Sequence, residues 1–126
     1  MLKRLAIVAL FALAACGGTD TPAVGDACSP ENALRCASST EALACEGGKL
    51  RAVTCRGPSG CVEGTATVVC DANRALVGDP CRKAQEGTGQ CHAANANEAL
   101  ACRSGVWTAQ ACRSCAVQGD AITCLP

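Results

Sequence analysis

The sequence has no tyrosine, one tryptophan, one phenylalanine and one histidine among its 126 residues. That scarcity excludes an ordinary globular enzyme domain, which needs aromatic bulk in its core. Charge of one sign is also missing, with 11 basic and 11 acidic residues. Setting aside Lys3 and Arg4 leaves 9 basic against 11 acidic residues, which is no footprint for nucleic acid and no polybasic patch for anionic lipid. The longest apolar run, from Leu5 to Ala15, has eleven residues, too few to span a bilayer core of about 30 Å.

What the chain does have is 13 cysteines and 13 glycines. Its 49% hydrophobic content overstates the core, because 25 of those residues are alanine and 13 are cysteine. From Cys16 onward there are 16 large apolar side chains. At about 1.5–3 kcal/mol per buried side chain, they cannot offset an ordering entropy of about 1–2 kcal/mol per residue. Covalent cross-links must contribute. The fold class expected is a small, disulfide-rich protein built mainly of short β-hairpins, as two tandem six-cysteine modules after a lipidated flexible tether.

The first 16 residues place two cations ahead of the apolar run and end on Leu13-Ala14-Ala15-Cys16. This resembles the lipobox of bacterial lipoproteins. The resemblance implies that residues 1–15 are a signal peptide, that the Cys16 thiol takes a diacylglycerol, and that the new amino terminus is acylated, commonly with palmitate. Cysteine parity agrees, since removing Cys16 leaves 12 thiols, which can all pair. Several acyl chains anchor a protein stably where one does not, so the lipid bilayer is the expected partner at Cys16. Gly17 and Gly18 follow, with no Asp directly after the cysteine, a pattern that resembles outer-membrane sorting. The expected location is the cell envelope, lipid-anchored, at the outer membrane. Residues 16–24 read as a polar, Gly- and Pro-containing tether.

The other cysteines fall into two blocks. Cys28, Cys36, Cys45, Cys55, Cys61 and Cys70 form the first, and Cys81, Cys91, Cys102, Cys112, Cys115 and Cys124 the second. Matched in order, they are offset by 53, 55, 57, 57, 54 and 54 residues, as an internal duplication leaves them. Gly25-Asp26-Ala27-Cys28 matches Gly78-Asp79-Pro80-Cys81, and Glu41-Ala42-Leu43-Ala44-Cys45 recurs as Glu98-Ala99-Leu100-Ala101-Cys102. The modules expected are residues 25–71 and 78–126, joined by a linker at 72–77. Gly47-Gly48 and Ser104-Gly105 are two-residue hairpin turns, and Gly119-Asp120 is a third. Ser29-Pro30-Glu31 resembles a helix start, so a helical turn is expected before Cys36.

Hairpin geometry constrains the bridges, all expected within modules. About Gly47-Gly48, Cys45 faces Leu50, and Cys55 lies on the opposite face of the hairpin, so these two should not pair. About Ser104-Gly105, Cys102 faces Trp107, which excludes Cys102 with Cys112. About Gly119-Asp120, Cys115 lies opposite Cys124, close enough to bridge; by module equivalence Cys61 should join Cys70. The pairings then expected are Cys28 with Cys45, Cys36 with Cys55, Cys81 with Cys102, and Cys91 with Cys112.

Little here carries chemistry. Catalysis needs a nucleophile with a base, or paired carboxylates in a pocket, and the one histidine, His92, reads as a solvated side chain. Cys112-Arg113-Ser114-Cys115 has redox or zinc spacing, but the first module has five residues at that place, so a structural role is expected. No metal, cofactor or enzyme activity is expected. The Cys-x9-Cys hairpin faintly resembles type-2 chitin-binding domains, which stack sugars on exposed aromatics. The counterpart of Trp107 is Leu50; the two read as core plugs, with Trp107 the ligand platform in the alternative. Lipobox, Gly-Asp-x-Cys openings, Leu-x-Cys before a Gly turn, and Cys70-Asp71 ahead of the second Gly-Asp-x-Cys together resemble the small cysteine-rich lipoproteins of myxobacteria. That resemblance implies location and architecture only. The function expected is a membrane-anchored, non-catalytic recognition module for protein or envelope glycan, marked by a patch around Lys49, Arg51 and Arg56 or around Trp107. The alternative is a structural envelope component with no specific ligand.

Overall fold

The computed structural model describes residues 20–119 and 121–126. The leader, the lipobox with Cys16, Gly17 and Gly18, and Asp120 of the last turn lie outside the described residues. Strands β1 (Leu34–Cys36), β2 (Glu41–Glu46) and β3 (Lys49–Thr54) form an antiparallel sheet in that order, followed by a hairpin of β4 (Cys61–Glu63) and β5 (Val68–Cys70). The pattern repeats as the sheet β6 (Gly89–Cys91), β7 (Glu98–Arg103), β8 (Val106–Ala111) and the hairpin β9 (Ser114–Gln118), β10 (Ala121–Leu125). The protein is thus a small disulfide-rich fold of short β-hairpins, with no α-helix among the described residues.

The repeated Glu-Ala-Leu-Ala-Cys string is the central strand of each sheet. Its alternation puts Leu43 and Cys45 on one face with Leu50, and Ala42 and Ala44 on the other with Val53. The alanine face is flat enough for the β4–β5 hairpin to lie close, with Cys61 and Cys70 against it. The turn residues set the register as expected: Cys45 faces Leu50, Cys102 faces Trp107, and Cys115 faces Cys124.

The six bridges lie within the blocks and follow one pattern in both. Cys28 joins Cys45, Cys36 joins Cys61 and Cys55 joins Cys70; Cys81 joins Cys102, Cys91 joins Cys115 and Cys112 joins Cys124. Two of the expected pairings, Cys28 with Cys45 and Cys81 with Cys102, are present, and Cys45 and Cys55 stay apart as the face rule requires. Cys61 with Cys70, Cys115 with Cys124, Cys36 with Cys55 and Cys91 with Cys112 are overturned. Cys61 does stand opposite Cys70, but both point at the main sheet. There Cys61 meets Cys36 on β1 and Cys70 meets Cys55 just past β3, so the second hairpin is stapled to the sheet at two points instead of being closed on itself.

Each Gly-Asp-x-Cys opening is a strap hydrogen-bonded along the edge of the third strand. The Gly25 amide donates to Leu50 O at 2.8 Å, the Leu50 amide to Asp26 O at 2.8 Å, and the Cys28 amide to Gly48 O at 2.9 Å. The same three bonds recur from Gly78, Trp107 and Cys81 to Trp107, Asp79 and Gly105, at 2.8, 2.9 and 2.9 Å. Each Asp also turns the chain before it, since Asp26 Oδ2 accepts the Ala23 amide at 2.8 Å and Asp79 Oδ2 the Leu76 amide at 2.9 Å. The end of the tether is therefore tied down.

Two other expectations change, for the turn after Ser29 and for His92. No helical turn follows Ser29; Asn32 takes a left-handed backbone (φ 67°) that ends the turn at once, and the Ala33 amide donates to Pro30 O. The short 3-10 turn falls instead in the second module at Lys83–Gln85, closed by the Arg82 amide donating to Gln85 Oε1 at 3.0 Å. Residues 72–77, between the two modules, pack into the second one, where Ala75 is 2% exposed in a cluster with Cys81, Leu100, Cys102 and Trp107. His92 is not solvated: its side chain is 15% exposed, with Nε2 3.8 Å from Glu98 and Nδ1 accepting the Ala94 amide.

Candidate functional site

The two modules meet through polar contacts. Arg56 follows Cys55 at the end of β3 and reaches the Asp79 carboxylate with two bonds, Nε to Oδ2 at 2.6 Å and Nη2 to Oδ1 at 3.1 Å. Asp79 is only 8% exposed. Burial pushes its carboxyl up, but the Arg56 guanidinium and the Leu76 amide outweigh burial and hold it below the usual carboxylate range. Arg51 donates to Glu46 at 2.9 Å, to Cys81 O at 3.1 Å and to Gly105 O, while Glu46 accepts the Lys83 amide at 2.7 Å. Gly105 has φ +79°, and a Cβ there would stand 2.6 Å from the Arg51 guanidinium, so only glycine allows both the turn and this contact.

The Arg56 loop is fixed from the other side by Asp71. Its carboxylate accepts the Asn73 and Ser59 amides, each at 3.0 Å. The Asn73 bond foremost, with that of Ser59, holds the Asp71 carboxyl below its ordinary value. A Cβ on Gly57 would overlap the Asp71 side chain. Cys70-Asp71, in the sequence only a dipeptide ahead of the second Gly-Asp-x-Cys opening, is thus a loop clamp.

Beside the junction lies a groove of about 630 Å³ lined by Ser38, Thr40, Glu41, Thr54, Arg56, Arg74 and Leu76. The loop from β1 to β2 supplies two hydroxyls, the ends of β2 and β3 supply Glu41 and Thr54, and residues 72–77 supply Arg74. A larger cleft, about 830 Å³, stands over Leu43 and Leu50 on the first module, with Asp20, Pro22 and Arg35 among its walls.

The structure divides the expected patch. Arg56 lines the junction groove; Arg51 is spent inside the junction; Lys49 opens β3 beside the Gly47-Gly48 turn, its Nζ 3.5 Å from Gly25 O. Trp107 is 3% exposed, packed against Leu100 and the cystine of Cys81 with Cys102, so its ring is a core plug and no stacking platform. Sequence reasoning missed Arg74 and the hydroxyls of Ser38, Thr40 and Thr54, which come from three separate segments and share no spacing signal. Among the described residues no group of three His, Cys, Asp or Glu could hold a metal ion, and no helix is long and apolar enough to cross a membrane. The groove therefore offers the Arg74 guanidinium, three hydroxyls and the Glu41 carboxylate beside an Arg56 held by Asp79, groups that can hydrogen-bond a polar ligand. No protein-family model matches the chain, and no curated protein or solved structure matches it either.

Proposed function

We propose that the protein is a membrane-anchored, extracytoplasmic and non-catalytic recognition module, held at the outer membrane by acyl chains on Cys16, whose junction groove takes an envelope glycan or a polar protein segment. The observation that carries this reading is the groove itself, where Arg56, Arg74 and three hydroxyls converge on a surface fixed by the Arg56–Asp79 pair. The lipobox and the odd cysteine count support the anchor. A structural envelope component with no ligand is the alternative, supported by the density of bridges alone.

Intact mass of the protein from a membrane fraction, with photo-crosslinking on intact cells, tests both halves. The expected chain begins at Cys16 and carries the mass of a diacylglycerol thioether and an amide-linked acyl chain. A crosslinked species is expected at the groove and should be lost in Thr40→Ala/Arg74→Glu. A soluble, unmodified chain would overturn the anchor, and identical crosslinking in the variant would favour the structural reading.

A further inference from the structure

Along an antiparallel strand the backbone groups of successive residues point alternately to one neighbour and the other. Leu50 gives its amide to Asp26 O and its carbonyl to the Gly25 amide of the strap. Alternation therefore sends the groups of Ala52 and Thr54 to the same outer edge, and those of Arg51 and Val53 toward β2. The strap does not continue along this edge. Its chain folds back at Asp26, whose amide donates to Ala23 O while its carboxylate accepts the Ala23 amide. The outward amides and carbonyls of Ala52 and Thr54 have no hydrogen-bond partner among the described residues. An unpaired strand edge is a template for another extended chain.

This edge runs into the junction groove, where Thr54 stands with Arg56, Arg74 and Leu76. The Arg74 guanidinium makes no hydrogen bond or ion pair with a described residue. Its charge reaches Asp71 through space, but that carboxylate is taken up by the Ser59 and Asn73 amides. Arg56 holds Asp79 through Nε and Nη2, which leaves its Nη1 for a ligand. Leu76 is 44% exposed and gives the groove an apolar wall. No aromatic ring lines it, so it has no flat face for a sugar, and its free backbone groups match a polypeptide better than a glycan.

We infer that the partner of the groove is an extended, acidic polypeptide segment that adds to β3 as a further strand, in line with the strap. The inference rests on the recognition reading and names its ligand. The strap runs antiparallel to β3, and so does the guest. The guest residues opposite Ala52 and Thr54 each exchange an amide and a carbonyl bond with β3, while the residue between them turns its amide away. In that direction the amino-terminal side of the guest lies at Arg56 and Arg74. A carboxylate ahead of the paired residues meets the Arg74 guanidinium, and an apolar side chain meets Leu76.

Selection of a phage-displayed random peptide library on the oxidised mature chain, with resynthesis of the enriched peptides, tests this. Enriched peptides are expected to carry an acidic residue followed by a strand-forming stretch, and to lose binding to Thr40→Ala/Arg74→Glu. N-methylation at either paired residue should weaken binding about tenfold, by removing a hydrogen bond and adding bulk, whereas N-methylation between them should be tolerated. Ala52→Pro removes only an outward N–H, a change that edge strands accept, and should weaken binding similarly. Ala109→Pro, the equivalent change on β8, should not. If Ala52→Pro fails to fold, the N-methyl scan on the wild-type chain decides. A library with no peptide bound above the double variant, or N-methyl tolerance without alternation, would overturn strand addition. A glycan crosslinked at the groove on intact cells would also overturn it and leave recognition standing, whereas no crosslink at the groove removes the recognition reading itself.

Discussion

In excess reductant the strand signal in far-UV circular dichroism is expected to collapse to that of an unfolded chain, at neutral pH and room temperature. The bridges close segments whose ends are 12 to 25 residues apart, and each should contribute about 2–4 kcal/mol, chiefly by restricting the unfolded chain. Six of them match or exceed the about 5–15 kcal/mol of net stability typical of a domain. The apolar side chains cannot replace them, because each module buries only a few large ones: Leu43, Leu50 and Val53 in the first, Leu100 and Trp107 in the second. Four of the six largest fully buried side chains are themselves cysteines. Strand signal that persisted after complete reduction, verified by thiol alkylation, would mean that the two small sheets hold themselves together.

Trp107→Ala is expected to cost about 3–5 kcal/mol, the range for removing a large core aromatic, read as a lower denaturant midpoint of the oxidised protein by circular dichroism. The indole is 3% exposed and fills the space under residues 72–77, so truncation opens a cavity between Ala75, Leu100 and the Cys81–Cys102 bridge. Trp107→Phe should cost far less. It keeps a ring in the site and removes an indole N–H that is buried without a hydrogen-bond partner among the described residues, a burial that costs about 1–3 kcal/mol. The alanine variant separates the two readings of this residue. A ligand platform would lose binding and keep its midpoint, whereas a core plug loses the midpoint.

Local geometry was legible in the sequence. Gly47-Gly48 and Ser104-Gly105 fixed the register of both main hairpins, and alternation from those turns correctly kept Cys45 away from Cys55 and Cys102 away from Cys112. The repeat of Glu-Ala-Leu-Ala-Cys located the central strand of each sheet. What failed was tertiary. Opposition within a hairpin made Cys61 and Cys70 look like partners, but their fate depends on which surface the β4–β5 hairpin covers. That surface is the alanine face of β2, carrying Cys36 and Cys55 at its margins, and no turn residue encodes it. The same holds for Ala75, whose burial comes from Trp107 more than thirty positions later, and for Arg56, whose partner Asp79 belongs to the other module. Asp26 and Asp79 are identical in motif and in their strap bonds, yet only Asp79 meets an arginine of the neighbouring module.

The central claim is that one closed unit has been used twice, with its bridges joining the first cysteine to the third, the second to the fifth and the fourth to the sixth. Cystine-peptide mapping of the unreduced protein, digested at acidic pH to prevent exchange, tests it most directly. Peptides joining Cys36 to Cys61, Cys55 to Cys70, Cys91 to Cys115 and Cys112 to Cys124 are the predicted result. A peptide joining Cys61 to Cys70 or Cys115 to Cys124, or any linking residues 25–71 to residues 78–126, would contradict it.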